Sequence, residues 1–466
     1  MSALPELKFK TVIIIPTWNK SDLLKNLLED LEKQKDKDFA VLVVDNGSSD
    51  GSGSYLKKKI EKNKLNLWAL LLGENLGFAV ANNIALNFAL HFFELDFFLL
   101  LNNDTRVNPD FIKNLHERSS FYLTGCKLKR DSFPFLVNTR DWKIGSFAPL
   151  IENYFNKNSV DAAGIKIFDD GSSINRGAGR DIRKFKKEEE VFGPTGASAL
   201  YLKKALKDVA GPPHFIGFYY PYKDNIPSEK NRIFRVETVA KKEEKKYCKK
   251  TDKNKFVIIP LIEFFASRYF AYFEDVDLAI RLRLRMWGCV LLPKAKVLHY
   301  HSATSGSFSA FKSFHIHRNQ YFNLIRDYPS YHLISGLFAA FRRYFFLLQS
   351  VKKKKGPAYM LSEKTSKAGV VKIVIKGWFE VFSQLIDLLQ ERNFIHSNRL
   401  VSNQEFHQLL KEKRFRASLK KMIFSTPNFK QKKAEKKAKN SVLKQGEKEE
   451  QKTNGEEGKD QLPEWF

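Results

Sequence analysis

Short apolar runs separated by amphipathic stretches organise the first hundred residues. "TVIIIP" (11–16) predicts a buried strand, and "SDLLKNLLEDLEKQ" (21–34) an amphipathic helix with Ser21 or Asp22 as its cap. "FAVLVVDNGSSDGS" (39–52) predicts a second strand running into a turn cluster, "LNLWALLL" (65–72) a third, and "FFLLL" (97–101) a fourth. "GFAVANNIALNFALHF" (77–92) predicts another helix between the last two. This βαβ rhythm predicts a mostly parallel, covered sheet with a site at the carboxyl ends of its strands.

After residue 118 the rhythm breaks. Residues 119–158 are basic and aromatic without a clear period. A second irregular block, 208–265, contains "KKEEKKYCKKTDKNK" and reads as solvated loop. Both are expected as insertions on a core domain spanning 1–307. "YFAYFEDVDLAIRLRLRMWGCVLLPKAKVLHYHSATSG" (269–306) predicts a strand end, a helix and two short strands. A basic helical module is expected over 308–424. Within it "VVKIVIKGWFEVFSQLIDLL" puts Val371, Ile375, Trp378, Phe382, Leu385 and Leu389 on one face of an amphipathic helix. The Lys/Glu-rich tail, 425–466, is too polar to fold and is expected to be disordered.

Charge adds a partner class. Lys and Arg number 80 against 52 Asp and Glu, a formal net charge of +28, which implies an anionic partner. The basic residues do not interleave with a stacking or groove-reading motif, so nucleic acid is not expected. "VKKKKG" (351–356) beside "FRRYFFLL" suits an anionic membrane surface instead. The apolar segment 332–348 fails as a membrane span. Its nine Leu, Ile and Phe residues return about 3–5 kcal/mol, while Arg342 and Arg343 cost about 5–7 kcal/mol. It therefore lies on a membrane or packs within a domain. Three unpaired-looking cysteines and an N-terminus without a signal-peptide pattern predict a cytoplasmic chain.

Four polar clusters stand at strand ends: Pro16-Thr17-Trp18-Asn19, Asp45-Asn46-Gly47-Ser48, Asn102-Asn103-Asp104 and Glu274-Asp275. Asp45 can accept hydrogen bonds from a nucleobase or ribose, or organise a turn. Gly77 allows close backbone approach, and the helix after it presents N-terminal amides that favour anions.

With "VIIIPTWN", "VVDNGSSDGS", "ENLGFAVANN", "LLLNNDT", "GASALYLKKAL", "FEDVDLAIRLR" and "HYHSATSG" in this order, the chain resembles the family-2 glycosyltransferases, in particular the rhamnosyltransferase-like branch. The resemblance covers about 11–306. It implies a glycosyltransferase A fold, a Rossmann-like mixed and mostly parallel sheet flanked by helices, followed here by the helical C-terminal module. It implies transfer of a rhamnose-like sugar, with inversion, from a nucleoside-diphosphate donor to a saccharide or polyprenyl-diphosphate-linked acceptor. That work belongs to cell-surface glycan synthesis at the inner face of the plasma membrane.

By the same resemblance Asp104 and His299 hold Mg²⁺ or Mn²⁺, although Asn102 replaces the first acid of the usual Asp-x-Asp motif. Asp275 is the general base, oriented by Glu274. The donor-binding set is Pro16, Thr17, Asn19, Asp45, Asn46, Asn75, Gly77, Asn82, Asn83, Asn102, Asn103 and Arg281. His301 shares a strand face with His299 and is a second candidate ligand. The rival reading is a catalytically silent sugar-nucleotide or glycan-binding protein of the same fold, favoured by Asn102.

Overall fold

The structure, a computed structural model, describes residues 7–124, 132–135, 142–221, 232–244, 247, 256–300 and 309–412. Strands β1 (Thr11–Thr17), β2 (Phe39–Asn46), β3 (Leu67–Leu72) and β4 (Phe97–Leu101) form the parallel centre. Their uninterrupted apolar runs follow from burial on both faces. Ile13, Ile15, Val41, Val43 and Leu99 enter one core, while Val12, Ile14, Leu42, Val44 and Leu100 enter the other. Helices α1 (Ser21–Glu32), α2 (Ser52–Glu61) and α3 (Gly77–Phe92) connect them. The cap of α1 differs from expectation. Lys20 precedes the helix, and the Ser21 amide donates to Asp50 at 2.8 Å, so a side chain 29 residues away supplies the acceptor.

Further along come β5 (Thr105–Val107), α4 (Phe111–Leu123), β6 (Lys143–Asn153), β7 (Asn156–Ala162), β8 (Glu189–Val191), β9 (Ser198–Leu202) and α5 (Lys203–Asp208). They are followed by β10 (Gly211–Pro221), β11 (Ile233–Ala240), β12 (Val257–Glu263), α6 (Glu274–Leu284) and β13 (Trp287–His299). One mixed sheet runs β8-β13-β6-β9-β4-β1-β2-β3-β11-β10-β12, with β5 on β13 and β7 on β6.

The two supposed insertions thus carry sheet strands. β6 lies inside the sheet, parallel to β13, and β11 extends the parallel centre beside β3. Their signal was masked: β6 is buried along most of its length, so it does not alternate, and Gly145 and Pro149 read as breakers. Pro260 is tolerated because β12 is an edge strand. The two short strands expected after α6 are a single strand, β13, whose pairing with β6 shifts between Leu292 and Lys296.

The C-terminal region is helical: α7 (Ala310–Asp327), α8 (Ser330–Lys352), α9 (Gly356–Ser383), α10 (Leu385–Ser397) and α11 (Asn403–Lys411). Gly336 of α8 and Gly377 of α9 let both helices close on α7, where an added Cβ would meet Leu324 and His317. Trp378 also turns inward, its ring 4.2 Å from that of Tyr321 and its indole N–H donating to Tyr344. Leu385, which opens α10, also packs against the core, whereas Val371, Ile375, Phe382 and Leu389 of the predicted apolar face are exposed. No described helix is long and apolar enough to cross a membrane. The tail expected to be disordered lies outside the described residues.

Candidate active site

The carboxyl ends of β1, β2 and β4 meet on one rim. Thr17 stands opposite Asp45 in the parallel register, and the Asn103 amide donates to Thr17 Oγ1 at 2.8 Å. Asp45 is buried, which pushes its carboxyl above the usual range against the pull of the Ser48 amide, 3.0 Å away. Asn19 takes a left-handed conformation and joins the same loop, donating its amide to Ser48 and accepting from the Ser49 amide. Asn46 donates to Asn75 and accepts from the Leu76 amide, which fixes the approach to α3. Pro16, Thr17, Asn19, Asp45, Asn46 and Asn75 are therefore neighbours.

Gly77 has a different use from the one its sequence suggested. It adopts φ +84°, and an added Cβ would come within 2.6 Å of Phe270. The amides of Phe78 and Ala79, the first free donors of α3, both point at the Phe270 carbonyl. An anion has no claim on them. Asn82 and Asn83 also turn away from the rim. The Asn83 side chain grips the backbone of Phe264 and Phe265, and Asn82 bonds back to Phe78. Asn83 thereby ties α3 to the segment that leads to α6.

Asp104 follows β4, and His299 ends β13. Pairing of β5 with β13 brings them together, with His299 Nε2 3.2 Å from Asp104 Oδ1. The other ring nitrogen, Nδ1, lies 2.6 Å from Asp161 Oδ2 on β7. Burial alone would lower the histidine, but the two carboxylates outweigh it and hold it at about 10. Asp161 was not singled out from sequence. Its position at the end of "NSVDA" resembles many strand-end turns, and only the pairing of β7 with β6 reveals its partner.

A divalent cation fits this pair. Ligands at about 2.1 Å on adjacent octahedral positions are about 3 Å apart, close to the 3.2 Å found. Asp161 then completes a carboxylate–histidine–metal order. Asn102 Oδ1, buried without a hydrogen-bond partner among the described residues, adds a neutral oxygen two residues away. Among the described residues no group of three or more His, Cys, Asp or Glu side chains is arranged to hold a metal. One carboxylate and one neutral imidazole suit a divalent ion that shares its shell with substrate phosphates and water. His301 lies outside the described residues.

The acidic pair opens α6. Asp275 Oδ2 accepts the Gly196 amide at 2.8 Å, and the next residue, Ala197, accepts the Asn102 amide through its carbonyl. Residues 196–197 thus join the carboxyl of Asp275 to the strand end that bears Asp104. Burial raises both carboxyls, Glu274 well above its ordinary value, and Glu274 Oε2 has no partner among the described residues. Asp275 is not a simple N-cap: Phe273 occupies that position in a left-handed conformation, as do Phe270 and Tyr272 nearby.

Three such residues in one short loop need external restraint, and α7 provides it. Fully buried Asn319 donates to the carbonyls of Tyr269, Ala271 and Tyr272, and Arg318 to those of Arg268 and Tyr269. Neither residue carried a sequence signal. Arg281, expected at the donor, is buried elsewhere: it binds Asp277 and the carbonyls of Val209 and Phe264. Helical spacing put it one turn beyond Asp277, and that salt bridge takes it inward. A separate hollow lined by Phe135, Trp142, Glu405, Gln408 and Lys411 contains none of these groups.

Comparison with known proteins follows the same outline. The family model for glycosyl transferase family 2 matches residues 12–210. A stretch of 98 residues is 32% identical to teichoic acid poly(glycerol phosphate) polymerase of Staphylococcus epidermidis, covering 21% of this chain and 13% of that relative's length. Among solved structures, the mannosyltransferase PcManGT from Pyrobaculum calidifontis, in complex with GDP-Man and Mn²⁺, is 14% identical. It aligns over 81% of this chain and 89% of its own with a TM-score of 0.41. S. aureus TarS 1-349 in complex with UDP-GlcNAc is 17% identical over 87% and 92% of the two chains, with a TM-score of 0.40. The sheet of mixed, mostly parallel strands between helices, followed by a helical C-terminal region, is the glycosyltransferase A architecture, and the segment 12–210 matches the family model of the family-2 glycosyltransferases.

Proposed function

We propose that the chain transfers a sugar from a nucleoside-diphosphate donor to an acceptor hydroxyl with inversion. The contact of Asp104 with His299, joined through residues 196–197 to Asp275, carries this reading. The rim formed by Thr17, Asp45 and Asn46 receives the nucleoside. Asp104 and His299 hold a divalent ion, Mg²⁺ or Mn²⁺, and loading it requires the Nε2 proton of His299 to leave. When bound, such an ion offsets the negative charge that grows on the departing diphosphate. Asp275 removes the acceptor proton as the acceptor oxygen bonds to the anomeric carbon and the bond to the diphosphate breaks. One base and one displacement invert the anomeric centre. Burial, and after it the neighbouring Asp275 carboxylate, favour the protonated form of Glu274, which eases repulsion within the pair.

A rhamnose-like sugar is proposed as the donor group on the sequence resemblance. A cell-wall polymer is proposed as the acceptor, supported by the name of the staphylococcal relative. The test is hydrolysis of a nucleotide-sugar panel with and without Mn²⁺, with the product anomer read by NMR. Binding of nucleotide without hydrolysis or transfer to any acceptor would leave the silent binding protein instead.

A further inference from the structure

The outer faces of α8 and α9 present an apolar surface that nothing in the chain's chemistry uses. On α8, Tyr331, Ile334, Phe338, Phe341, Phe345 and Leu348 recur at spacings of three and four, so they share one side of the helix. All are exposed, Phe338 by 75% and Phe341 by 79%. The opposite side, with Gly336, Ala339 and Ala340, is buried against the domain. α9 packs beside α8 and repeats the arrangement, with Phe379 and Phe382 outward and Gly377 and Trp378 inward. This is a two-helix surface, much larger than the scattered apolar residues of an ordinary protein exterior.

Charge identifies what covers it. Residues 330–389 hold ten Lys and Arg against three Asp and Glu. Lys352, Lys353, Lys354 and Lys355 are exposed at the junction of the two helices, and Arg342, Lys372 and Lys376 flank the aromatic rows. Of the three acids Glu380 is engaged by Arg318, which leaves Glu363 and Asp387 exposed. Large apolar side chains bordered by an excess of cations suit the boundary of an anionic lipid bilayer, where acyl chains take the rings and headgroups take the ammonium groups. A second copy of this chain would instead bring like charges together.

We propose that α8 and α9 lie in the plane of an anionic membrane surface, as a foot that docks the enzyme without spanning the bilayer. This inference is independent of the reaction, because none of these residues belongs to the candidate active site.

The test is flotation of the full chain with vesicles of equal parts phosphatidylcholine and phosphatidylglycerol, compared with phosphatidylcholine alone. The chain is expected to float with the anionic vesicles and to be released by salt. Neutralising Lys352 to Lys355 as glutamine should weaken partition about tenfold or more. The double variant F341D/F379D should abolish flotation while circular dichroism and the melting temperature stay unchanged. Failure to float, or flotation undiminished in F341D/F379D, overturns the proposal. So does a wild-type dimer in sedimentation velocity that this variant dissociates and vesicles do not.

Discussion

Helices α7 and α8 are consecutive and invert each other's chemistry. α7 buries Arg318, Asn319, Asn323, Arg326 and Asp327, while α8 exposes Ile334, Phe338, Phe341 and Phe345. Hydropathy would place these two sets the other way round. The reason is partnership. α7 faces a loop whose backbone carbonyls have no sheet to satisfy them, so buried donors are required there. Arg326 and Arg281 both neutralise Asp277 beneath the acidic pair, which keeps that carboxyl below its ordinary range despite its burial. α8 has the domain on one side only, and its other side is free to hold rings. Polarity in α7 therefore serves the site from within, and apolarity in α8 serves contact with the exterior.

The sharpest way to break this contrast is to remove a buried charge from α7. Arg326→Met should cost about 3–5 kcal/mol, because Asp277 stays buried with one cation fewer; urea unfolding measures it. Asn319→Ala takes the side-chain donor from the carbonyls of Ala271 and Tyr272, while that of Tyr269 keeps Arg318, and should cost about 2–3 kcal/mol, with a larger change in kcat than in KM. Its effect on pH distinguishes positioning from mere stability. Burial raises Asp275, and a base must be ionised, so activity should rise with pH along a limb above the ordinary carboxylate range. Loosening the loop admits water and should move that limb down. The same raised carboxyls favour the protonated fold. They contribute stability below the ordinary carboxylate range and lose it as pH rises through their raised values.

On the far side of the site, Asp161→Asn keeps the shape but removes the charge behind His299. Mn²⁺ affinity should fall about 10–100-fold by calorimetry, with the melting temperature of the metal-free protein little changed beside Arg326→Met. Phe341→Ser should have the smallest effect. A ring exposed on α8 contributes within about 0.5 kcal/mol to folding, and nucleotide-sugar hydrolysis should be unaltered. A large loss of stability would show that this face is covered by the chain itself and would remove the contrast with α7.

Legibility followed the same division. β1 to β4 and α3 could be read because residues buried on both sides leave long apolar runs, and polar strand ends stand out against them. Asp104 and His299 were visible as such ends, whereas Asp275, read from sequence as a third, follows a loop and opens α6. β6 and β10 were obscured by glycines and prolines, and no local pattern distinguishes Asn319 from a solvated asparagine. Gly77 was noticed, but its neighbour was not: Phe270, nearly two hundred residues away, occupies the α3 terminus that seemed open to an anion.

By itself, the sequence determined where the strands and helices of the parallel centre run and which polar residues end them, because burial periodicity is a local property. Tertiary structure alone decided that Asp161 stands behind His299, that Arg281 turns inward to the carbonyls of Val209 and Phe264, and that one helix carries its polar side in and the next its apolar side out. Those outcomes depend on what each side chain meets across the fold, and a partner distant along the chain leaves no trace in the pattern around the residue it satisfies.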